Sequence, residues 1–153
     1  MVAWTYSLVN SARPINVDLS ASALVYEVIN QLVTIKKIPY KELCQMFDLI
    51  LVGFDEVVDN NQLEQAPGIY ATSDEYTIFV REEDLPASRE NMYFSKPIQL
   101  DKNSEKIYVS HQWSKWLNDD GGKRAKGYLF FCIESFISIC SKLGFDIKTN
   151  PAK

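Results

Sequence analysis

Of the side chains able to carry chemistry, histidine is the scarcest: His111 is the only one in the chain. Zinc pairs built on two imidazoles, HNH-type nuclease sites and paired-histidine ribonuclease sites each need a second one, so all three are excluded. A single imidazole can still serve a small nuclease as a base beside Tyr108 or Lys115. Its neighbours Ser110, Gln112 and Trp113 offer a plainer reading, a polar strand end packed on the indole. Cys132 and Cys140 lie eight residues apart on one predicted helix, without the C-x-x-C spacing that zinc sites use, and read as small core residues. Nothing in the spacing joins Cys44 to His111 as a nucleophile pair. Asp146-Ile147-Lys148 fits the second half of a metal-dependent nuclease signature, in which the acid holds Mg²⁺ and the lysine stabilises charge. An edge strand with solvated charges explains the same three residues.

The best candidate site is basic. Lys115, Lys123, Arg124 and Lys126 surround Gly121-Gly122 ahead of a predicted helix, and Trp113, Trp116 and Tyr128 are close in sequence. Backbone N–H groups at a helix start with cations nearby suit an anion, and aromatic rings stack on bases. The glycine pair lacks the spacing and the Ser/Thr of a P-loop. A counterpart lies upstream: Asp55, Glu56, Asp59 and Glu64 on a predicted helix, followed later by Glu82-Glu83-Asp84, form an acidic surface suited to a basic protein.

These two regions reflect a wider asymmetry within 153 residues of net charge −4. Residues 1–66 hold four Lys/Arg against eight Asp/Glu, residues 67–110 five against eight, and residues 111–153 seven against four. The first two-thirds would repel a phosphate backbone and the last third would tolerate one. Apolar residues at 46% and charged ones at 24% are ordinary globular usage, which argues against disorder. No apolar run reaches the roughly 18 residues of a membrane span. The N-terminus lacks the basic-then-apolar pattern of a secretion signal. Three dispersed cysteines suggest no disulfide framework and a reducing, cytoplasmic setting.

The elements that must position these groups are legible in part. A helix is expected after Asp18-Leu19-Ser20, capped by Ser20 or Asp18, with Val25, Val28, Ile29, Leu32 and Val33 on one stripe. It should end near Lys36-Lys37, two lysines that suit the dipole of a last turn, because Pro39 disfavours helix at Ile38. A short helix follows, with Tyr40, Leu43 and Phe47 inward. The run Leu49 to Val52 is left unassigned. A third helix is expected over 54–66, a hairpin from Ile69–Thr72 and Tyr76–Val80, and a second hairpin from Pro97–Leu100 and Ile107–Ser110. Leu129, Ile133, Phe136, Ile137, Cys140 and Leu143 predict a long helix over 128–143 that Gly144 closes, and Phe145–Lys148 a final edge strand. The fold class is α+β, a single domain over 1–153 with sub-halves at 1–81 and 92–148.

Three helices and a hairpin over residues 21–80 resemble a winged helix-turn-helix, with Ile38 to Cys44 opening the second helix and Gly68 to Arg81 as the wing. In that family the third helix enters the major groove with basic and polar contacts. Here the matching helix carries acids and no Lys or Arg, so the resemblance implies that it faces a protein or the rest of the domain. Gly68-Ile69-Tyr70 resembles the opening of the GIY-YIG nuclease domain, but Thr77 and Ile78 depart from its second triplet. Tyr93-Phe94, Pro97-Ile98, Ile107 to Trp113, Phe136-Ile137 and Leu143 to Ile147 resemble a module at the ends of uncharacterised bacterial proteins, some associated with restriction and defence. The resulting expectation is a non-catalytic binding module of bacterial or phage origin, without a cofactor. Its partner would be a protein with a basic surface, met through the acidic front, or nucleic acid, met through 113–128. A small nuclease using His111 or the Asp146/Lys148 strand is the alternative.

Overall fold

The computed structural model describes residues 5–10, 18–47, 49–51, 69–71, 78–85, 87–100, 105–111, 113–114 and 131–150. The chain opens with a strand the sequence reading passed over, β1 (Thr5–Asn10). Its alternation is nonetheless present, since Tyr6 and Leu8 are buried while Val9 points outward, 60% exposed. β1 pairs antiparallel with the last strand, β9 (Asp146–Asn150), in the register Tyr6 to Thr149 and Leu8 to Ile147. The chain's two ends therefore close on each other. On its other side β1 exchanges two backbone hydrogen bonds of 2.7 Å between Tyr6 and Leu19.

Helix α1 (Ala21–Thr34) begins as expected, the Ser20 side chain accepting from the Ala23 N–H at 3.2 Å. Leu24, Val25, Val28, Ile29, Leu32 and Val33 are all buried, so the predicted stripe is the core face. The helix stops at Thr34, short of the expected Lys36-Lys37, and no lysine lies in its last turn. The reason lies in how its end unwinds. Ile35 and Lys36 both donate to the Gln31 carbonyl at 3.0 Å, Ile38 returns to Leu32 at 3.0 Å, and Lys37 takes the left-handed conformation with φ 58°. That turn lets Pro39 start α2 (Tyr40–Met46), which buries Leu43, and Phe47 at its end.

β2 (Leu49–Leu51) pairs in parallel with β3 (Ile69–Ala71). β4 (Phe79–Arg81) pairs antiparallel with β6 (Glu105–Val109), whose other side takes β5 (Ile98–Leu100), giving the order β4-β6-β5. The hairpin expected from 97–100 and 107–110 is therefore present as β5–β6. The one expected from 69–72 and 76–80 is not seen among the described residues, where β3 and β4 enter different sheets; residues 72–77 lie outside them. Both segments are β-rich, but strand propensity does not choose partners; β2 and β6 offered pairings to strands remote in sequence. The helix expected over 54–66 lies outside the described residues.

β7 (Trp113–Ser114) pairs in parallel with β8 (Phe131–Cys132), which leads directly into α3 (Ile133–Lys142). The final helix is thus shorter than the 128–143 expected, because residues 131–132 are held extended by that pairing. Ile133, Phe136, Ile139 and Cys140 form its buried stripe, and Gly144 closes it at φ 92°.

The architecture is α+β. α1 packs on β5 and β6, and touches β1 and β7. Residues from Tyr6 to Phe145 join one buried cluster. Within it Phe136 stacks on Phe47 with centroids 5.1 Å apart and meets Trp113 edge-on at 5.3 Å. Phe136→Ala, which empties the meeting point of α2, β7 and α3, is expected to cost about 3–5 kcal/mol in urea unfolding. Lys37→Gly is expected to stabilise by about 0.5 kcal/mol, because relief of left-handed strain outweighs the added chain entropy. A loss of stability in that variant would contradict the account of the turn.

Candidate functional site

His111 leaves the end of β6 and joins three elements. Its N–H donates to the Met92 carbonyl at 3.1 Å, its own carbonyl accepts from the Ser22 hydroxyl at 2.7 Å, and its Nε2 lies 2.7 Å from the Asn91 carbonyl oxygen. A carbonyl only accepts, so Nε2 carries the proton and cannot act as a base through that atom. The ring meets Phe94 edge-on at 5.6 Å, and Phe94 in turn meets Tyr26 of α1 at 5.3 Å. Tyr108, the expected catalytic companion, donates its hydroxyl to Glu82 at 3.2 Å. The other companion, Lys115, lies outside the described residues.

Trp113, singled out for stacking on bases, is a core residue, 7% exposed. Its indole N–H donates to the Ser110 carbonyl at 3.0 Å and its ring packs on Phe136, which leaves no face for a base. Its role is to anchor the segment that follows. β7 and β8 hold residues 113–114 against residues 131–132 in the Trp113–Phe131 register. Trp116, Lys115, Lys123, Arg124 and Lys126 lie outside the described residues, as do Asp55, Glu56, Asp59 and Glu64.

Asp146 and Lys148 stand exposed on β9, opposite Asn10 and Ser7. Cys140 is fully buried, and burial pushes its thiol pKa well above the usual value, so it is inert packing. Among the described residues no three His, Cys, Asp or Glu side chains gather in a way that can hold a metal ion.

The densest charge cluster forms where β4 runs into a 3₁₀ turn, Glu82–Asp84. Arg81 donates through Nε to Asp84 at 3.1 Å, and its terminal nitrogens lie 3.0 Å from Asp84, 3.3 Å from Glu83 and 3.6 Å from Glu105 of β6. The hydrogen bond to Asp84 comes first in raising the guanidinium pKa above its ordinary value. Its central carbon sits 5.2 Å from the ring centroid of Tyr40. Burial first, then the neighbouring Cys44, raises the Tyr40 hydroxyl well above the usual phenol range, so it stays neutral. Exposed pairs of this kind contribute little stability. Electrostatically the outcome is an excess of negative charge, one guanidinium among the four carboxylates of Glu82, Glu83, Asp84 and Glu105.

Beside this cluster a groove of about 180 Å³ opens between the α1–α2 turn and strands β5 and β6. Tyr40 and Glu105 line it together with Val33, Leu100, Ile38, Pro39 and Lys37. Sequence reasoning found the Glu82–Asp84 run but not its meeting with Tyr40, Arg81 and Glu105. These residues come from α2, β4 and β6, and only the sheet order unites them. Compared with known proteins, the chain matches no family model, no curated protein and no solved structure. Among the described residues, no helix is long and apolar enough to cross a membrane.

His111→Ala removes the bond to Asn91 and the contact with Phe94. It is expected to lower unfolding stability by about 1–2 kcal/mol. A variant of unchanged stability would show that the ring is not the fastener described.

Proposed function

We propose that this chain is a non-catalytic binding module that engages a protein partner with a basic surface. The observation that carries the reading is the gathering of Glu83, Asp84 and Glu105 around a single arginine at one edge of the β4-β6-β5 sheet, with Glu82 beside them on Tyr108. Clustered surface carboxylates with little structural worth raise the encounter rate and the selectivity for cationic partners. The acidic composition of residues 1–66, with Asp55, Glu56, Asp59 and Glu64, supports the same sign of partner. The resemblance of the C-terminal part to bacterial defence-associated modules fits neutralisation of a basic toxin or nuclease.

A second reading, nucleic-acid binding through 113–128, rests on the β7–β8 clamp, which ties both ends of the segment bearing Lys115, Lys123, Arg124 and Lys126 to the core. Trp116 remains the aromatic candidate there, and Trp113 does not. The small-nuclease alternative now has its histidine Nε2 committed to a backbone carbonyl.

Fluorescence anisotropy with a labelled nona-arginine peptide and a labelled 20-nucleotide single strand separates the two readings. We expect the peptide to bind, to weaken about tenfold between 50 and 200 mM salt, and to weaken by at least that much in the Glu82→Lys, Glu83→Lys, Asp84→Lys triple variant. Oligonucleotide binding lost on changing Lys123, Arg124 and Lys126 to Glu, with no peptide binding, would replace the first reading by the second. Cleavage of the strand that His111→Ala abolishes would overturn both.

A further inference from the structure

We propose that the groove between the α1–α2 turn and strands β5 and β6 receives one basic side chain of the protein partner, an arginine or a lysine. The inference rests on the binding reading above and names the point at which the partner is gripped. Three features of the groove carry it. Its deepest residues are apolar: Val33 is 1% and Leu100 7% exposed, with Ile38 and Pro39 beside them. One side of the opening is formed by the Glu105 carboxylate, a third exposed, and by Tyr40, whose ring already carries the Arg81 guanidinium. The opening adjoins the carboxylates of Glu83 and Asp84 through Arg81, which touches all three acids.

An apolar floor under a carboxylate and an aromatic ring matches a long aliphatic stem that ends in a cation, the particular make-up of arginine and lysine. An acidic side chain would meet Glu105 and its neighbours, and a purely apolar one would leave the excess of carboxylates over the one Arg81 guanidinium unanswered. Volume is consistent as well, since about 180 Å³ is room for one side chain and not for a helix or a strand. Lys37, exposed, also lines the rim of the groove. Its charge opposes a cation, so the two rim residues make predictions of opposite sign.

The test is a titration of the full chain with N-acetyl-arginine amide, followed by NMR shifts of the Val33, Tyr40 and Leu100 resonances. N-acetyl-citrulline amide and N-acetyl-glutamate amide serve as comparison probes. We expect the arginine probe to shift these residues and citrulline to do so at least about threefold more weakly. Glu105→Gln should weaken the arginine probe about fivefold, and Lys37→Glu should strengthen it about threefold. Glu83→Gln, which touches Arg81 without lining the groove, should leave it within about twofold. Unchanged melting temperatures in the Glu105 and Glu83 variants show that folding is not what is being read.

Equal binding of citrulline, tighter binding of the glutamate probe, or equal responses to Glu105→Gln and Glu83→Gln would each overturn the groove assignment. So would shifts at these residues that follow protein concentration without probe, which would mark a second copy as the occupant. If the groove assignment fails while nona-arginine still binds through Glu82, Glu83 and Asp84, the binding reading survives without it. If nona-arginine also fails, both fall.

Discussion

The buried stripe of α1 is the constraint on which the rest of this structure depends. Six apolar side chains, from Leu24 to Val33, are sealed on one helix face, and the helix meets β1 as well as β5, β6 and β7 much further along the chain. Burying a side chain of this size stabilises the fold by roughly 1.5–3 kcal/mol, so this helix concentrates much of the driving force. Against it lie β5 and β6, which turn Ile98, Leu100, Ile107 and Val109 inward and leave Gln99, Lys106 and Tyr108 outward. The β1–β9 ribbon closes the same core and brings residues 5–10 to residues 146–150. A short aromatic relay of Phe47, Phe136 and Trp113 ties α2, α3 and β7 together.

Once that core is set, the charged edges follow. The left-handed turn at Lys37 redirects the chain from α1 into α2 and places Tyr40 against β4, where Phe79 meets its ring at 5.7 Å and Arg81 lies over it. Because β6 is central, its first residue, Glu105, joins the turn that follows β4. Three carboxylates, those of Glu83, Asp84 and Glu105, then share one arginine, and Glu82 beside them accepts from Tyr108. On another part of the same core, the Trp113 anchor and the β7–β8 pairing fix where the basic segment leaves and returns. At the β4–β6 edge the carboxylates of Glu82, Glu83 and Asp84 stay exposed outside the core while buried strand residues hold them in place.

What the sequence made legible follows from the range of the interactions involved. Helix α1, its Ser20 cap, α2, the β5–β6 hairpin and the Gly144 stop are written in neighbouring residues, and periodicity finds them. β1 was legible too, since Tyr6 and Leu8 alternate with polar positions, but two inward residues among six made a weak signal. The pairings β2–β3, β4–β6, β7–β8 and β1–β9 join segments that are remote along the chain, so no local pattern announces them. For the same reason the adjacent β-rich segments at 69–72 and 76–80 suggested a hairpin that the sheets do not contain. The candidate groove was hidden by this too: Lys37 and Tyr40 are near each other in sequence, but Leu100 and Glu105 arrive only through the packing of β5 and β6 on α1. An aromatic residue near lysines, such as Trp113, suits a stacking site and a core equally well in sequence, and here it is buried.

One core organised around α1 holds the β4-β6-β5 sheet, the β1–β9 ribbon and α3 together. Native-state hydrogen exchange at increasing denaturant measures this directly. The amides of Val28 to Leu32 in α1, of Ile107 to Val109 in β6 and of Phe136 to Cys140 in α3 should exchange at a common free energy equal to that of global unfolding. Exchange of α3 and β9 well below α1 and β6, in a separate step, would show two independent units and contradict the account.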